Sequence, residues 1–240
     1  MHTDIVIRSW YRDFSWLASC LQGIHKFAHG FRDVVIVVPE GSRPYLERSV
    51  LKAWPVAVCP QVRDDYLGQQ VTKLYADTYT DADYIVHLDS DCVLRRPCQP
   101  SDLLLNGRPE ILLTPCSQFA RRAPWQRVTE RFLQRPVHFD YMRRQPLVYP
   151  RWLYESLRAE ATHLHGRELR DYILAQPPMA FSEFNALGAF AHAAHPQAFA
   201  WTETASVAFD ERFCRIFWSW GDDKVAAQAE ITAILEGPDQ

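Results

Sequence analysis

The sequence lacks the features that mark several large classes of protein. No stretch approaches the roughly 18 consecutive apolar residues that a membrane-spanning helix needs, and the six cysteines are dispersed, without a C-x-x-C pair. The N-terminus has neither the basic start nor the apolar stretch of a signal peptide. A zinc site and a redox dithiol are therefore unsupported, and we expect buried, reduced thiols in a soluble, cytoplasmic protein without a membrane span.

The sequence also contains no internal repeat and no low-complexity segment. Hydrophobic residues make up 48% of the 240 residues and charged residues 23%, which are ordinary values for a globular protein with a sizeable core. Disorder, collagen-like structure and coiled coil are therefore excluded. The length favours one domain over residues 1–240.

The formal net charge of -3 hides two segments of opposite charge. Residues 64–91 contain seven aspartates against one lysine, Lys73, which suits the binding of a cation. Residues 121–170 contain eleven arginines against five acids, which suits an anionic ligand. Solvated helix faces would give the same counts, so charge alone does not choose between ligand binding and solvation.

The order of strand-like and helix-like segments predicts an α/β fold. Short apolar runs rich in β-branched residues predict strands at 5–7, 34–38, 56–58 and 84–88. Apolar residues at helical spacing predict helices from Asp13, over 42–52 and over 66–79. Repeated β-α-β units of this kind form a parallel sheet covered by helices, and ligands bind at the carboxyl ends of its strands.

The second half of the chain has a looser pattern. Residues 117–180 are rich in arginine, aromatic residues and proline, and we predict helices and loops laid over the sheet edge. The remaining predicted elements are a strand at 111–114, helices over 182–194 and 222–235, and short strands near Phe199 and Phe213.

Two Asp-x-Asp triplets occur, and chance alone accounts for about one in a chain with seventeen aspartates. Asp81 and Asp83 precede the strand at 84–88, at its amino end, where turn and capping roles are usual. Asp89 and Asp91 follow the same strand, at the carboxyl end where ligand sites collect. Carboxylates are hard oxygen ligands, so we favour a Mg²⁺ or Mn²⁺ site at the second triplet over a simple Asx turn.

Five stretches share a pattern with one known family. They are residues 5–11, the strand at 34–38, the Gln-Gln-x-x-Lys pattern within 68–74, the segment 84–91 that ends in Asp-Ser-Asp, and the Ser-Glu-Phe-Asn segment within 181–188. Together they resemble the GT-A-fold glycosyltransferases, which are metal-dependent enzymes with nucleotide-sugar donors. The last stretch is similar to a segment of uncharacterised bacterial and phage glycosyltransferases, which implies the cytosol of a bacterium or of a phage-infected host.

The resemblance implies a Rossmann-like, mostly parallel central sheet flanked by helices. The central stretch rich in arginine and aromatic residues shares no pattern with the family, and we interpret it as a helical insertion on the acceptor side. The half at 1–116 would bind the nucleotide-sugar, with a UDP-sugar as the first choice. The half at 117–240 would bind the hydroxyl acceptor. Mn²⁺ or Mg²⁺ would bridge the protein and the donor phosphates.

Individual donor-side residues also receive roles from the resemblance. Asp91 would be the main metal ligand, and Asp89 would lie nearer the donor ribose and metal water. Gln69 and Lys73 lie one helical turn apart and would face the donor, with Lys73 against phosphate or sugar. An ordinary i,i+4 pair of Lys73 with Asp77 is an equal alternative. The other donor-binding candidates, after the first strand, are Arg8, Ser9 and Trp10, with Tyr11 as an alternative stacking residue.

The resemblance also makes Glu183 the favoured catalytic base, since an inverting transfer needs a carboxylate that deprotonates the acceptor hydroxyl. The alternative is structural: Ser182 as an N-cap and Glu183 as a first-turn acid that complements the helix dipole. Asp64 and Asp65 would read a base edge or simply lie in a solvated loop. A further late metal ligand is left unassigned among His192, His195, Asp222 and Asp223.

Arg121, Arg122 and Trp125 are the acceptor-side candidates. Arginines interleaved with aromatic residues suit phosphate backbones and stacked bases, so one acceptor is a hydroxymethylated pyrimidine flipped out of phage DNA. A bacterial surface glycan or a lipid-linked acceptor competes with it, and a solvated helical cover is a third interpretation. A noncatalytic α/β module that binds nucleotide or metal is the alternative from another functional class.

Overall fold

The computed structural model describes residues 2–46, 51, 54–121, 123–219, 221 and 224–237. Within these ranges the strands are β1 (Thr3–Arg8), β2 (Val34–Pro39), β3 (Val56–Cys59), β4 (Tyr84–His87), β5 (Cys92–Leu94), β6 (Leu104–Leu105), β7 (Arg108–Pro115), β8 (Phe139–Asp140), β9 (Leu147–Pro150), β10 (Ala200–Glu203) and β11 (Cys214–Ile216). The helices are α1 (Phe14–Phe27), α2 (Arg43–Leu46), α3 (Asp65–Leu74), α4 (Gln126–Leu133), α5 (Trp152–His165), α6 (Leu169–Leu174), α7 (Glu183–Ala194) and α8 (Lys224–Glu236).

The central sheet has the strand order β3-β2-β1-β4-β9. β1 to β4 are parallel, and Ile5 of β1 lies opposite Val34 of β2 and Val86 of β4. β9 runs antiparallel beside β4, so the sheet is mixed. The four strands predicted from apolar runs in the first half are confirmed.

Helices cover both faces of this sheet. Because successive strand residues point to opposite faces, Ile5 and Ile7 belong to the hydrophobic cluster that includes α1, whereas Val6 belongs to the cluster that includes α5, α6 and α7. Burial on both faces explains why the strands are nearly continuous in apolar residues. The predicted α/β architecture, a central sheet flanked by helices, is therefore confirmed.

The central sheet also contains a strand that the sequence did not predict. Residues 117–180 form helices α4, α5 and α6, as expected, but they also form β8 and β9, and β9 is the edge strand beside β4. All four residues of β9 are buried. Prolines at 146 and 150 obscure its pattern, and an edge position tolerates Pro150 because the missing N–H does not break an inner ladder.

Two smaller sheets complete the described strands. One has the order β10-β7-β6, with β8 paired to β7, and the other pairs β11 with β5. The strands predicted at 111–114 and near Phe199 and Phe213 are confirmed as β7, β10 and β11. β5 is the next strand after β4 in the chain, and its antiparallel pairing with β11 places the segment after β11 beside the carboxyl end of β4.

The helix predictions are confirmed in position and corrected in length. The predicted helix at 66–79 is shorter: α3 ends at Leu74, and a 3-10 turn follows over Ala76–Thr78. The helix predicted over 42–52 is described as α2, and 47–50 and 52–53 lie outside the described residues, as do 222–223 before α8. No described helix combines the length and the apolar character needed to cross a bilayer.

Candidate functional site

Side chains from both halves of the chain meet in one cavity of about 470 Å³ beyond the carboxyl end of β4. Its walls come from α3, the β4–β5 loop, the β8–β9 loop, the start of α7 and the segment after β11. The sequence-predicted residues on these walls are Gln69, Lys73, Asp89, Asp91, Trp125 and Glu183. The predicted metal and catalytic residues thus lie together at the strand end where ligands bind in α/β sheets.

The turn Asp89-Ser90-Asp91 joins β4 to β5 and is fixed by hydrogen bonds. The amide of Cys92 donates to the Asp89 carbonyl at 3.0 Å, and the amide of Phe217 donates to the Asp91 carbonyl at 2.8 Å. The amide of Ser219 donates to Asp91 Oδ2 at 2.9 Å. The segment after β11 therefore holds Asp91 at the cavity wall.

Lys73 of α3 is buried between two acids from distant parts of the chain. Its Nζ donates to Asp89 Oδ1 at 2.5 Å and to Glu183 Oε1 at 2.8 Å, and it lies 4.7 Å from the ring centre of Phe184. Burial opposes the charged form, but the two carboxylates outweigh burial and raise the pKa of Lys73. Lys73 is therefore a fixed cation that links the Asp-Ser-Asp turn to the start of α7.

The i,i+4 alternative for Lys73 is wrong. Asp77 instead accepts two hydrogen bonds from the guanidinium of Arg158, at 2.7 and 2.6 Å. Arg158 comes from α5, which packs against the chain just after α3. The helix spacing predicted a local partner, and a residue 81 positions away takes its place.

Glu183 is the first residue of α7, and α3 fixes this helix start in two ways. The backbone N–H of Glu183 donates to the side-chain oxygen of Gln70 at 2.8 Å. The hydroxyl of Tyr66 donates to the Phe181 carbonyl at 2.6 Å. Ser182 occupies the N-cap position but forms no side-chain capping bond. The buried Glu183 carboxylate therefore lies against Lys73 at the cavity wall instead of in solvent.

The rest of the Ser-Glu-Phe-Asn segment positions a neighbouring wall. Asn185 accepts a hydrogen bond from the amide of Tyr141 at 2.9 Å and donates to Ser182 Oγ at 3.1 Å. A Cβ at Gly188 would lie 2.4 Å from the Cβ of Tyr141, so only glycine permits this approach of α7 to the chain after β8. Asn185 and Gly188 thus fix the chain at the end of β8, where Asp140 lines the cavity.

Carboxylates outnumber cations on the described cavity walls. The acids are Asp13, Asp89, Asp91, Asp140 and Glu183, and the cations are Lys73 and Arg143. Burial, together with the charges of Asp89 and Asp13, raises the pKa of Asp91 to about 6. Burial also raises the pKa of Asp13, although Trp10 Nε1 donates to its Oδ2 at 2.6 Å. The end of the cavity near these aspartates therefore has uncompensated negative charge.

This chemistry fits a divalent cation that is shared with a substrate. Among the residues that the structure describes, no three Asp, Glu, His or Cys side chains form a group that could hold a metal ion. Asp89 and Asp91 remain as two carboxylates on one turn, and the charge of Asp89 adds to burial in raising the pKa of Asp91. Mg²⁺ commonly takes one or two protein carboxylates and completes its shell with phosphates and water, so the pair suits a metal that arrives with a phosphorylated ligand.

The predicted nucleotide-binding residues after β1 lie mostly outside the cavity. Arg8 is buried, and its guanidinium forms a bidentate pair with Asp65. Ser9 is also buried, and neither Arg8 nor Ser9 is among the described lining residues. Trp10 reaches the cavity indirectly, through its bond to Asp13. Asp64 caps α3 by accepting from the Leu67 amide, which accounts for it without a ligand.

The mouth of the cavity is aromatic and apolar. Trp125 is half-buried and stacks on Tyr66, with ring centres 6.3 Å apart. Met179 and Trp218 line the same cavity and are 57% and 42% exposed, so large apolar side chains lie where the cavity opens to solvent. Arg121 is exposed and is not among the described lining residues, and Arg122 lies outside the described residues.

Several arginines of the 121–170 segment are used inside the protein. Arg143 donates to Asp140 at 2.9 Å and to the Val207 carbonyl at 2.7 Å, and it lies over the Phe209 ring. Arg144 is almost fully buried against Glu110, to which it donates at 2.7 Å. Further internal pairs are Arg158 with Asp77 and Arg135 with Glu160. These arginines connect elements of the fold, and Arg143 alone among them also lines the described cavity.

The two late histidine candidates, His192 and His195, do not line the described cavity. His192 contacts the Tyr141 hydroxyl at 2.9 Å, and His195 lies edge-on against Trp152. Asp222 and Asp223 lie outside the described residues.

Some lining residues were not predicted at all. Asp13 had a usable signal, since it closely follows the carboxyl end of β1. Gln145, which donates to Asp89 Oδ2 at 3.3 Å, had none, because no local pattern brings the chain before β9 to the end of β4.

The comparison with protein families gives a family without an assigned function. The chain belongs to the family described as "family of unknown function (DUF6492)", whose profile matches residues 20–230. No curated protein matches the sequence.

Proposed function

We propose that this member of a family of unknown function is a metal-dependent glycosyltransferase of the GT-A type, which moves a sugar from a nucleotide-sugar, first of all a UDP-sugar, to a hydroxyl acceptor. One observation carries the proposal: the Asp89-Ser90-Asp91 turn and the Glu183 carboxylate line one cavity and are bridged by Lys73. These residues come from the two most specific stretches of the resemblance, which are about 90 positions apart. If the two stretches belonged to separate sites, nothing would require their residues to lie in one cavity.

The metal side of the proposed reaction belongs to Asp89 and Asp91. Mn²⁺ or Mg²⁺ supplies, when bound, charge neutralisation for the nucleotide diphosphate that leaves. Asp91 would hold the cation, and the Ser219 amide fixes the direction of its carboxylate. Asp89 would lie toward the ribose, with Gln145 orienting its second oxygen. Gln69, on the cavity face of α3, would contact the donor.

The proposed base is Glu183. Its carboxylate would take the proton of the acceptor hydroxyl while that oxygen attacks the anomeric carbon, and the bond from this carbon to the diphosphate breaks with its electron pair leaving on the phosphate oxygen. Lys73 donates to one oxygen of Glu183, Oε1, at 2.8 Å. Because Lys73 holds the carboxylate and Gln70 holds the backbone N–H, Glu183 loses little freedom on binding an acceptor, as a base in direct displacement requires.

For the acceptor, we propose a saccharide hydroxyl, either of a surface glycan or of a lipid-linked sugar. Trp125, Met179 and Trp218 give the mouth the aromatic and apolar surface on which sugar rings stack. The acids of the described walls disfavour a polyanion. A hydroxymethylated pyrimidine in DNA is the second candidate, supported by exposed arginines such as Arg121 and Arg127 near the mouth residue Trp125.

The test begins with a donor screen, in which nucleotide-sugars are added with and without Mn²⁺ and thermal stability is followed. A donor that binds the native protein raises its melting temperature, and we expect this to require the metal. With the donor that is found, Asp91→Asn should lower turnover on the order of a hundredfold or more. Asp83→Asn is the matched control, because Asp83 belongs to the other Asp-x-Asp triplet and its carboxylate accepts from the His2 amide, away from the cavity.

The base is tested separately. Glu183→Gln should keep donor and Mn²⁺ binding but lose transfer by about 10²- to 10⁴-fold. Unchanged transfer by this variant would remove Glu183 as the base. No metal-dependent donor shift and no turnover of any nucleotide-sugar, even though the protein is folded, would favour the noncatalytic binding module.

A further inference from the structure

The contacts of Lys73 are unusual for a lysine in a donor-binding wall. The side chain is 3% exposed, and its ammonium group is shared between Asp89 and Glu183, 16 and 110 positions away in the sequence. The ring of Phe184 closes the remaining side. A long, flexible cation held in this way is not free to follow a departing phosphate.

Two neighbours explain why the ammonium group stays in place. Glu183 is buried, and a buried carboxylate without a partner is costly, so Glu183 needs a cation. Asp89 lies on the same turn as Asp91, whose pKa is raised. Without Lys73 this turn would hold two carboxylates with no cation beside them. Asp77, which lies four residues after Lys73 in the 3-10 turn that follows α3, is paired with Arg158.

We infer that Lys73 is a resident counter-cation, which positions Glu183 and competes with the divalent cation for Asp89. The inference rests on the proposed function, since it concerns the same metal and base. With a divalent cation on the turn, Asp89 would serve as a metal ligand, and Lys73 would be left to Glu183 alone. Metal binding and the positioning of the base are then coupled through one ammonium group.

A competing role makes a different prediction. If Lys73 were a phosphate or sugar ligand, its removal would weaken donor binding and leave the affinity for the metal alone unchanged. If Lys73 competes with the metal, its removal tightens metal binding while transfer falls. The two quantities move in opposite directions, which a merely structural lysine does not produce.

The experiment measures Mn²⁺ binding to the whole protein without donor. Free Mn²⁺ is counted by electron paramagnetic resonance for the wild type and for Lys73→Met. We expect Lys73→Met to bind Mn²⁺ about tenfold more tightly, which corresponds to about 1.4 kcal/mol. Transfer by the same variant should fall, because Glu183 has lost the group that positions it. Equal or weaker Mn²⁺ binding by Lys73→Met would overturn the inference.

A second variant guards against misfolding. Lys73→Met/Glu183→Gln removes the buried, unpaired carboxylate that the single change leaves. Its free energy of unfolding should therefore be close to that of the wild type, and it should still bind Mn²⁺ more tightly than the wild type does. Lys73→Arg is the conservative control and should keep the wild-type affinity. Tighter Mn²⁺ binding without any nucleotide-sugar turnover would reject the glycosyltransferase proposal alone. No Mn²⁺ binding by any of these folded proteins would reject both.

Discussion

The acidic segment at 64–91 and the arginine-rich segment at 121–170 have nearly opposite charges, and the fold uses them differently. The aspartates at the end of β4 are gathered on one cavity wall, where burial and mutual repulsion raise the pKa of Asp91. The arginines, in contrast, are spread through the structure, and Arg144 and Arg158 each hold a carboxylate from another element. Crowded like charge costs stability and is typical of a candidate ligand site, whereas paired charge is part of the scaffold.

The largest expected effect is on the scaffold side. Arg144→Met would leave Glu110 without its buried partner, and we expect a loss of about 3–5 kcal/mol in the free energy of unfolding. Urea denaturation measures this loss, with an unchanged m-value as the check that the unfolded state is the same. The double variant Arg144→Met/Glu110→Met should recover most of the stability, because an apolar pair replaces a buried ion pair at little cost. A loss below about 1 kcal/mol for the single variant would place Arg144 among surface charges.

The next effect has the opposite sign and tests the acidic side. The pKa of Asp91 is raised from its ordinary value of 3.8 to about 6, so the native state binds a proton more tightly than the unfolded state. The wild type therefore loses stability as the pH rises from about 4 through about 6. Asp91→Asn removes this cost and keeps an oxygen that accepts from the Ser219 amide.

We expect Asp91→Asn to be about 1–2 kcal/mol more stable than the wild type at pH 8 and nearly equal to it at pH 4. Two units of pKa correspond to about 3 kcal/mol, and partial exposure of the side chain reduces this figure. Urea denaturation of both proteins across this pH range gives the difference. If Asp91→Asn were less stable than the wild type at pH 8, the Asp91 carboxylate would be structural. The acidic segment would then stabilise the fold as the buried arginines do, and the two segments would not differ.

The two segments also differ in how much of their structure could be predicted. β4 and the Asp89-Ser90-Asp91 turn were predictable because a buried parallel strand is a continuous apolar run and its carboxyl end is the ligand edge. β9 was not, since Leu147–Pro150 is short, lies between prolines and finds its partner across a long stretch of chain. Edge strands of this kind depend on tertiary contacts more than on local propensity.

The site shows the same division between local and distant information. Lys73 was recognised on its helix face, but helix spacing offered Asp77 as its partner, whereas the structure pairs it with Asp89 and Glu183. No local rule reaches over 110 residues. Charge counts failed for the same reason: a count of eleven arginines does not reveal that Arg144 meets Glu110 inside the protein.

The smallest expected effect concerns the arginines that remain at the surface. Arg121 and Arg127 are exposed and flank Trp125, the aromatic residue at the cavity mouth. We expect Arg121→Gln/Arg127→Gln to change the free energy of unfolding by no more than about 0.5 kcal/mol, because surface substitutions away from buried pairs seldom do more. Transfer to an uncharged saccharide should change less than about twofold, since such an acceptor has no phosphate for these side chains to contact. Trp125→Ala is the matched variant at the mouth, and it should raise the acceptor KM while leaving donor binding unchanged.

If the acceptor were a polynucleotide, the arginine substitutions would have a large effect instead of a small one. Each lost arginine would then weaken binding to hydroxymethylated DNA and reduce its salt dependence by about one phosphate contact, as measured by retention at increasing salt. That result would mean that the arginine-rich segment combines a scaffold inside the protein with a binding surface outside it, and the acceptor would be DNA.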